Sequence, residues 1–361
     1  MGNGFAMTAD NNAKKAAEFR SANLAPGADD SADIIPIERA LREKHPLKIC
    51  LLGYRSAPFG GGQGIYIKYL SKALVDAGHS VDVISGQPYP HVDERVNLIK
   101  LPGLNLFENG LGSLRFHHLS SMTNIIEWCS KLTGGFAEPY CFSRRALNYL
   151  EANGRHYDII HDNQCLGWGM LKLQERGFPL VTTIHHPVTS DLDIALAAAK
   201  NWRERAFIKR WHSFINMQKK VAQKLKHVVT VSECSQQDIS SAFDMQPEKI
   251  HLVHCGIDTD DFQPMADVEK VPQRLMATVS ADHPLKGARY LIEAMAKLRP
   301  EFPKLNLLMV GQPKPDGQAE RLIHKLDLQD NIQFVSGIST EQLARHYNEA
   351  EVAVVPPVYE G

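Results

Sequence analysis

Apolar and polar positions alternate along most of the chain in two rhythms. Short apolar runs that are typical of buried strands, such as KICLLG and SVDVIS, are separated by stretches in which apolar residues recur at helical spacing. Between Ile65 and Ala77, apolar residues recur every three or four positions, and the pattern ends at Gly78, a residue that often terminates helices. This alternation predicts an α/β fold in which parallel sheets are covered by helices on both faces.

The alternation pauses once, which predicts two domains. It starts at Lys48, stops in the proline-containing segment DFQPMADVEKVPQR and restarts at LMATVS. We therefore predict a disordered N-terminal tail over residues 1–45, a Rossmann-like domain over 46–264 and a second Rossmann-like domain over 265–361. Ligands bind beyond the carboxyl ends of the strands in such sheets.

One predicted helix has an unusual charge. Residues 198–226 are predicted as a single long helix with an apolar stripe and a strongly basic back, in which basic residues oppose the single acid Glu204. The usual interpretation is that the stripe faces the core and the basic side faces solvent. The alternative is peripheral contact with an anionic membrane, where each cation near the surface contributes about 1 kcal/mol.

Composition excludes several classes of protein. The formal net charge of −1 gives no general attraction to nucleic acid. Six cysteines without C-x-x-C spacing favour a reducing compartment over a disulfide framework. No apolar run approaches the roughly 20 residues that span a bilayer, and the N-terminus lacks the pattern of a secretory signal. We expect a cytoplasmic protein, with peripheral membrane contact if the basic helix provides it.

The loop after KICLLG contains the sequence FGGGQG. A dinucleotide site needs an acid at the end of the next strand, but that strand ends in VISGQP, and a Walker loop needs a Gly-Lys-Ser/Thr triplet that is absent after this loop. Two interpretations remain. The loop is either a tight turn that needs small residues or a backbone cradle for a phosphate at a helix N-terminus.

Five stretches occur in an order that resembles a known family. They are the glycine pair Gly61-Gly62, TIHHP, VSECS with VHCGIDTDDFQP, SADHPLKG, and VVPPVYEG. Together they resemble the retaining glycosyltransferases of family 4, which are built on the two-domain GT-B fold. The resemblance runs from Lys48 to Gly361.

The resemblance implies roles for individual residues. His185 matches the histidine that faces the reacting sugar, and we treat it as the candidate catalytic residue. Matches to donor-binding positions are Gly61, Gly62, Lys286, Gly311, Ile338 and Glu360. Candidate acceptor-binding residues are Gln63, Asn163, Gln164 and His186.

Each of these residues also has a purely structural interpretation. The two histidines would then be polar strand-end residues, Lys286 a solvated side chain and Glu360 an ordinary loop acid. Asp162, Asn163 and Gln164 would be turn formers.

The implied reaction is transfer of a sugar from a nucleotide-sugar to a hydroxyl of a glycan or lipid-linked acceptor, with UDP-sugar as the predicted donor. Negative charge grows on the departing diphosphate, and Lys286 with helix N-terminal amides would stabilise it. The family uses no metal, and the resemblance implies no cofactor, since the nucleotide-sugar is a substrate. We expect a role in the biosynthesis of a cell-envelope polysaccharide or glycolipid.

Several positions depart from the family pattern. Ser280 stands where the family usually has an arginine, so the diphosphate would have one of its two usual cations unless His283 substitutes. Cys255 and Pro357 replace a usual asparagine and serine. The chain stops at Gly361 inside the E-x7-E motif, which predicts a truncated second domain with impaired donor binding. The rival hypotheses are a sugar-nucleotide epimerase or hydrolase on the same fold, and a non-catalytic binding protein.

Overall fold

Short apolar runs of the sequence form a first sheet of seven parallel strands. In the computed structural model these strands are β1 Lys48–Gly53, β2 Ser80–Ser85, β3 Asn97–Lys100, β4 Ile159–Asn163, β5 Leu180–Thr183, β6 Val228–Thr230 and β7 Ile250–Leu252. Their order is β3-β2-β1-β4-β5-β6-β7. Strand β1 is buried at every position except its first, as expected for a central strand with helices on both faces.

A second sheet repeats this arrangement with four parallel strands. They are β8 Arg274–Thr278, β9 Asn306–Val310, β10 Ile332–Val335 and β11 Val352–Ala353, in the order β10-β9-β8-β11. In both sheets the chain builds outward from the first strand on one side and then continues on the other. The prediction of two Rossmann-like parallel sheets is confirmed.

The structure describes residues 45–58, 62–106, 108–279, 281–282 and 286–358. The predicted tail therefore lies outside the described residues except for its last position, as do Gly61, Ser280, His283 and Glu360. Residues 48–361 belong to one compact unit. The domain boundary after Pro264 falls between β7 and β8 and stays a prediction.

Helices separate the strands as the periodicity predicts. They are α1 Gly62–Asp76, α2 Met122–Leu132, α3 Glu138–Asn153, α4 Trp168–Glu175, α5 Thr189–Ala198, α6 Trp202–Trp211, α7 Ile215–Ala222, α8 Glu233–Phe243, α9 Ala288–Leu298, α10 Gln318–Lys325 and α11 Thr340–Glu349. Short 3-10 helices cover 110–113, 116–120, 212–214 and 247–249. None of these helices combines the length and the apolar character that crossing a membrane requires.

Each sheet has its own apolar core. Leu52, Ile84 and Ile160 belong to the first core, and Ile292 and Met309 belong to the second. These cores hold the strands in register, so the positions of the loops at the carboxyl edge of each sheet follow from the packing of the apolar runs.

The prediction of one long helix over 198–226 is wrong. Asn201 is extended, and its side chain accepts a hydrogen bond from the backbone N–H of Glu204 at 2.9 Å, so a new helix begins at Trp202. A 3-10 turn at 212–214 then separates α6 from α7. The predicted apolar stripe is divided as well, since Phe214 is buried whereas Phe207 is 59% exposed.

The segment that leaves the first sheet is anchored on α1. The hydroxyl of Tyr69 donates to the Asp261 carboxylate at 3.2 Å, and the ammonium of Lys72 lies 3.2 Å from the carboxylate of Asp258. The connection toward the second sheet thus packs on the helix that follows the glycine loop.

Candidate functional site

Three neighbouring strands of the first sheet bring predicted site residues to one edge. Strands β1, β4 and β5 are adjacent, and the strand order reverses between β1 and β4. Gly62 begins α1 after β1, Asn163 ends β4 and His185 follows β5. Open α/β sheets bind ligands at such a reversal point, so these residues share the part of the fold where a ligand is expected.

The glycine loop contains one glycine that packing requires and one that it does not. A Cβ at Gly64 would lie 2.1 Å from the backbone oxygen of Ala57, whereas a Cβ at Gly62 would meet nothing within 4 Å. Gly62 therefore lies beside open space, where a ligand can approach the backbone. The sequence analysis predicted a role for Gly61 and Gly62 but missed the steric requirement at Gly64.

A hydrogen-bond network fixes the imidazole of His185. Its Nε2 lies 2.6 Å from the Asn163 Oδ1, and the Asn163 Nδ2 donates to the backbone oxygen of Gln63 at 3.3 Å. Because the amide nitrogen is directed at Gln63, the amide oxygen faces the imidazole and accepts its Nε2 proton. Nδ1 is then the acceptor nitrogen of a neutral ring. The ring of Tyr66 packs edge-on, with 4.7 Å between the centroids.

Burial keeps two histidines of this site neutral. Burial, together with a smaller effect of the neighbouring His186, lowers the pKa of His185 to about 4. Burial and His185 likewise lower the pKa of His161, also to about 4, and the His161 Nε2 lies 2.6 Å from the Thr183 hydroxyl oxygen. A neutral imidazole exchanges hydrogen bonds with hydroxyl groups but offers no cation to a phosphate. The sequence predicts that the stretch HDNQCLG, which begins at His161, helps to form the acceptor pocket, but it gives no sign of Tyr66, which shares no motif with His185.

Gln164 holds the loop that carries the two adjacent histidines. Its Oε1 accepts from the backbone N–H of His185 at 2.7 Å, and its Nε2 donates to the backbone oxygen of His186 at 2.8 Å. The side chain is buried, and its backbone is left-handed with φ +54°. These bonds position the loop backbone. The imidazole of His186 lies 3.9 Å from the Asp191 carboxylate.

Asp162 is fully buried near the end of β4, where it bonds to the loop that follows this strand. Its carboxylate accepts from the backbone N–H groups of Cys165 at 3.2 Å and Leu166 at 3.1 Å. Burial raises the pKa of Asp162 to about 7, although these two hydrogen bonds oppose the rise. These bonds to the next loop fit the structural interpretation, in which Asp162 forms a turn.

The second sheet gathers predicted donor residues at its carboxyl edge. Gly311 follows β9, Ile338 follows β10 and Lys286 lies between β8 and α9. Gly311 has φ +150°, and a Cβ there would lie 2.3 Å from the backbone oxygen of Val279. A cavity of about 350 Å³ opens beside it, lined by Gly311, Gln312, Pro313, Pro315, Glu320, Phe334 and Ser336.

The turn that carries Lys286 into α9 also requires a glycine. Gly287 has φ +68°, and a Cβ there would lie 1.8 Å from the backbone oxygen of Pro356, in the loop after β11. The close approach joins the loops that follow β8 and β11, the pair between which the strand order of this sheet reverses. Gly287 is the N-cap residue of α9 and makes no side-chain capping bond there.

The N-terminus of α10 is occupied by a carboxylate of the protein itself. Asp282 accepts from the backbone N–H groups of Lys314 at 2.6 Å and Ala319 at 3.0 Å. Burial alone would raise the pKa of Asp282, but the backbone hydrogen bonds lower it. Of these two helix ends, the one at α9 is therefore the better placed to receive a phosphate.

Among the described residues, no group of three or more histidine, cysteine, aspartate or glutamate side chains is arranged to hold a metal ion.

Family models match most of the chain. Glycosyltransferase Family 4 matches residues 60–261, and Glycosyl transferases group 1 matches residues 261–361. The chain is 42% identical to the MMP alpha-(1->4)-mannosyltransferase of Mycolicibacterium hassiacum over 318 residues, which are 87% of this chain and 76% of that protein. It is 24% identical to a D-inositol 3-phosphate glycosyltransferase of Geodermatophilus obscurus over 344 residues, 88% of this chain and 71% of the relative.

Solved structures share the fold. Sucrose-phosphate synthase from Thermosynechococcus elongatus matches with a TM-score of 0.59 at 23% identity, over 87% of this chain and 76% of that one. A glycosyltransferase involved in lipopolysaccharide biosynthesis, WaaG, matches with a TM-score of 0.59 at 18% identity, over 86% and 75%. With its two parallel sheets, its two matching family models and its mannosyltransferase relative, this chain belongs to Glycosyltransferase Family 4 and is a glycosyltransferase of the GT-B fold.

Proposed function

We propose that this protein is a retaining hexosyltransferase that transfers a sugar from a nucleotide-sugar to a hydroxyl of a glycan or lipid-linked acceptor, in the biosynthesis of a cell-envelope polysaccharide or glycolipid. The mannosyltransferase relative makes mannose the first sugar to test. Its name specifies an α linkage, and the common nucleotide-activated hexoses carry an α-linked diphosphate, so an α product corresponds to retention. UDP-sugar is the donor predicted from the sequence, and GDP-sugar is the alternative in the test.

The observation that carries this proposal is the neutral imidazole of His185 at the reversal point of the first sheet. Its Nε2 proton is donated to Asn163, so Nδ1 is the nitrogen that would accept a hydrogen bond from a sugar hydroxyl. A general base works best with a pKa near the working pH. Because the pKa of His185 is lowered to about 4 by burial, its proposed role is to orient the sugar.

In the proposed reaction the bond between C1 of the sugar and the diphosphate oxygen breaks, and the acceptor hydroxyl forms a new bond to C1 on the same face. The hydroxyl proton passes to the departing diphosphate. Lys286 and the amides at the start of α9 would stabilise the charge that grows on the leaving group. Gly311 and Ile338 would line the nucleotide, and the cavity beside Gly311 supports that assignment.

Replacement of Lys286 tests the donor site. A charge-assisted hydrogen bond contributes about 1.5–3 kcal/mol, so Lys286→Ala should lower kcat/KM for the donor by roughly 10- to 150-fold. Lys297→Ala is the matched control, since Lys297 is an exposed lysine in the last turn of α9. Equal activity of the two variants would rule out the proposed role of Lys286.

A donor screen tests the function as a whole. The protein is incubated with UDP- and GDP-hexoses and with mannose oligosaccharides or a total lipid extract, and products are detected by mass spectrometry. Transfer supports the proposal, whereas sugar release without an acceptor indicates a hydrolase and isomerised donor an epimerase. Failure to bind any nucleotide-sugar indicates a binding protein without this chemistry. Metal independence, implied by the resemblance, is tested by turnover in EDTA, and cofactor independence by turnover with purified donor and acceptor as the only additions.

We also propose peripheral contact with the cytoplasmic surface of an anionic membrane through α6, the helical part of 198–226 that is most exposed. Trp202 and Phe207 are 73% and 59% exposed, and the guanidinium of Arg203 lies 5.5 Å from the Trp202 ring centroid. Exposed aromatic residues among basic ones favour the interfacial region of a bilayer. Cosedimentation with anionic vesicles at low salt, and release at high salt, would support this proposal. Equal recovery with neutral vesicles would contradict it.

A further inference from the structure

A turn at the end of β4 contains two buried residues with an unfavourable backbone. It covers residues 163–166, and we call it the β4 turn. Gln164 and Leu166 both have a left-handed backbone, with φ +54° and +52°, and both side chains are buried. Residues other than glycine disfavour this conformation. Such strain persists only where surrounding contacts impose it, and it is concentrated at functional sites.

Three elements of the fold hold Cys165, which lies inside the β4 turn. Its backbone N–H donates to the carboxylate of Asp162 in β4 at 3.2 Å, and its thiol donates to the backbone oxygen of Pro139 in α3 at 3.1 Å. Its backbone oxygen accepts from the Nε2 of Gln218 in α7 at 3.3 Å. The second carboxylate oxygen of Asp162 accepts from the backbone N–H of Leu166 at 3.1 Å. The turn is therefore fixed from β4, α3 and α7 together.

Gln218 is not explained by stability alone. The residue is 2% exposed, and its Oε1 is buried without a hydrogen-bond partner among the described residues. An unsatisfied buried acceptor destabilises a protein, and an apolar side chain of similar size would avoid that cost. What the amide contributes is the hydrogen bond from Nε2 to Cys165. A requirement for a fixed β4 turn accounts for a glutamine at this position.

The β4 turn in turn holds the loop that carries His185. The Gln164 Oε1 accepts from the backbone N–H of His185 at 2.7 Å, and the Gln164 Nε2 donates to the backbone oxygen of His186 at 2.8 Å. Asn163, in the same turn, accepts the Nε2 proton of the His185 imidazole at 2.6 Å. The position of the turn thus sets the position of both the backbone and the ring of His185.

We propose that Asp162 and Gln218 are positioning residues for sugar transfer, which act through the β4 turn to hold His185 in place. The proposal rests on the proposed function, in which the His185 imidazole orients the sugar. Asp162 is 0% exposed and Gln218 is 2% exposed, so both act through other residues and not by contact with the substrate. A displacement of about 1 Å that starts far from the reacting atoms can lower a rate about 100-fold.

Two variants loosen the β4 turn from different sides. Gln218→Met removes the donor to Cys165 and the unsatisfied acceptor at the same time, so the melting temperature should stay close to that of the wild type. Asp162→Asn keeps the shape of the side chain but replaces one acceptor oxygen by an amide nitrogen, which cannot accept from a backbone N–H. The assays are run at pH 8, because burial raises the pKa of Asp162 to about 7 and the carboxylate is largely ionised above it.

Gln223→Met is the matched control. Gln223 lies at the end of α7 and also donates through its Nε2 to a backbone oxygen, that of Phe243 at 2.8 Å. This bond joins α7 to α8 and not to the β4 turn. The control variant should therefore behave like the wild type in every measurement made at His185.

Hydrogen exchange at the backbone amide of His185 and steady-state kinetics test the proposal together. Exchange at this amide should become about tenfold faster in Gln218→Met and in Asp162→Asn, since opening the loop then costs roughly one hydrogen bond less. The kcat for sugar transfer should fall by about 10- to 100-fold. The KM for the donor should stay unchanged, because the proposed donor residues Lys286 and Gly311 belong to the second sheet.

The outcomes separate this proposal from the proposed function. Wild-type exchange at His185 in both variants would overturn the positioning role, whatever their activity. Faster exchange with an unchanged kcat would overturn it as well, because the hold on His185 would then not serve transfer. Faster exchange in a protein that transfers no sugar from any donor tested would support the hold on the loop and overturn the proposed function instead. If Asp162→Asn does not fold, Gln218→Met gives the same comparison.

Discussion

The change Asn163→Asp tests the assignment of a neutral His185 most directly. The two side chains have the same shape, and the oxygen that accepts the Nε2 proton at 2.6 Å is retained. The variant differs by a negative charge next to the imidazole and by the loss of the amide donor to the backbone oxygen of Gln63. Because Asn163 is 2% exposed, water screens the new charge only weakly.

The size of the effect follows from the geometry. Two unit charges with centres about 4 Å apart interact by about 4 kcal/mol at an effective dielectric constant of about 20. That energy favours the imidazolium roughly a thousandfold, which carries the pKa of His185 from about 4 into the neutral range. At pH 6 the variant would then be protonated at Nδ1 and unable to accept a hydrogen bond from a sugar hydroxyl. The rate of sugar transfer by the variant should therefore decrease as the pH falls below neutrality, whereas the wild type should show no such decrease.

Two measurements check this prediction. NMR of labelled histidine follows the protonation of His185, and the pH dependence of kcat/KM follows its consequence. Asn148→Asp, on the exposed surface of α3, introduces the same charge away from the site and should leave both unchanged. If the pKa of His185 in Asn163→Asp stays near that of the wild type, the assignment of the Asn163 oxygen as the partner of Nε2 is refuted.

Three further predictions concern the backbone and the buried carboxylate. Gly64→Ala should destabilise the protein by about 1–3 kcal/mol, because the added methyl group would clash with the backbone of Ala57. Gly62→Ala should leave the melting temperature unchanged. If the two variants have the same melting temperature, this prediction is contradicted. Gly287→Ala should lower the free energy of unfolding by at least about 1–2 kcal/mol, because alanine disfavours the left-handed backbone. It should also weaken nucleotide binding in calorimetry, since Gly287 shapes the turn that carries Lys286. Nucleotide affinity equal to that of the wild type would disprove this connection between the turn and the donor site. Burial raises the pKa of Asp162 to about 7 in the folded protein, so folding favours the protonated carboxyl group. The stability that this protonated form contributes is fully present below the pKa of the unfolded chain and is lost as the pH rises through about 7. Relative to Asp162→Asn, wild-type stability should fall by roughly 1.4 kcal/mol per pH unit between pH 4 and 7, and parallel pH profiles in thermal denaturation would exclude this.

The sheets could be predicted because each strand is a local feature. A run such as KICLLG is apolar on both faces, and only a central parallel strand buries both. The residues at the carboxyl ends of β1, β4 and β5 could then be grouped from the sequence alone, since the ends of parallel strands share one edge of a sheet. The sequence thereby brought together Gly62, Asn163 and His185.

Features that depend on a single hydrogen bond or on a distant contact could not be predicted. The predicted helix over 198–226 is interrupted at Asn201, whose side chain caps a new helix instead of continuing the preceding one. The spacing of apolar residues alone does not show whether such a residue caps a helix or lies within one. Tyr66 and His161 belong to different segments, and only the fold places their rings near one another, with centroids 6.5 Å apart. The requirement for Gly287 arises from the loop after β11, about 70 residues further along the chain.

The two sheet edges use different means of building a site, and this difference predicts how each responds to substitution. At the first edge, side chains determine the chemistry: the amides of Asn163 and Gln164 fix the imidazole and the backbone of His185 before a ligand binds. At the second edge, Gly287 and Gly311 let the backbone approach closely, so backbone shape matters there together with the charge of Lys286. Conservative polar substitutions should therefore alter the pH dependence and turnover at the first edge while leaving donor affinity intact. Adding a single methyl group at the second edge should weaken donor affinity without changing the pH dependence, because no titrating group is moved.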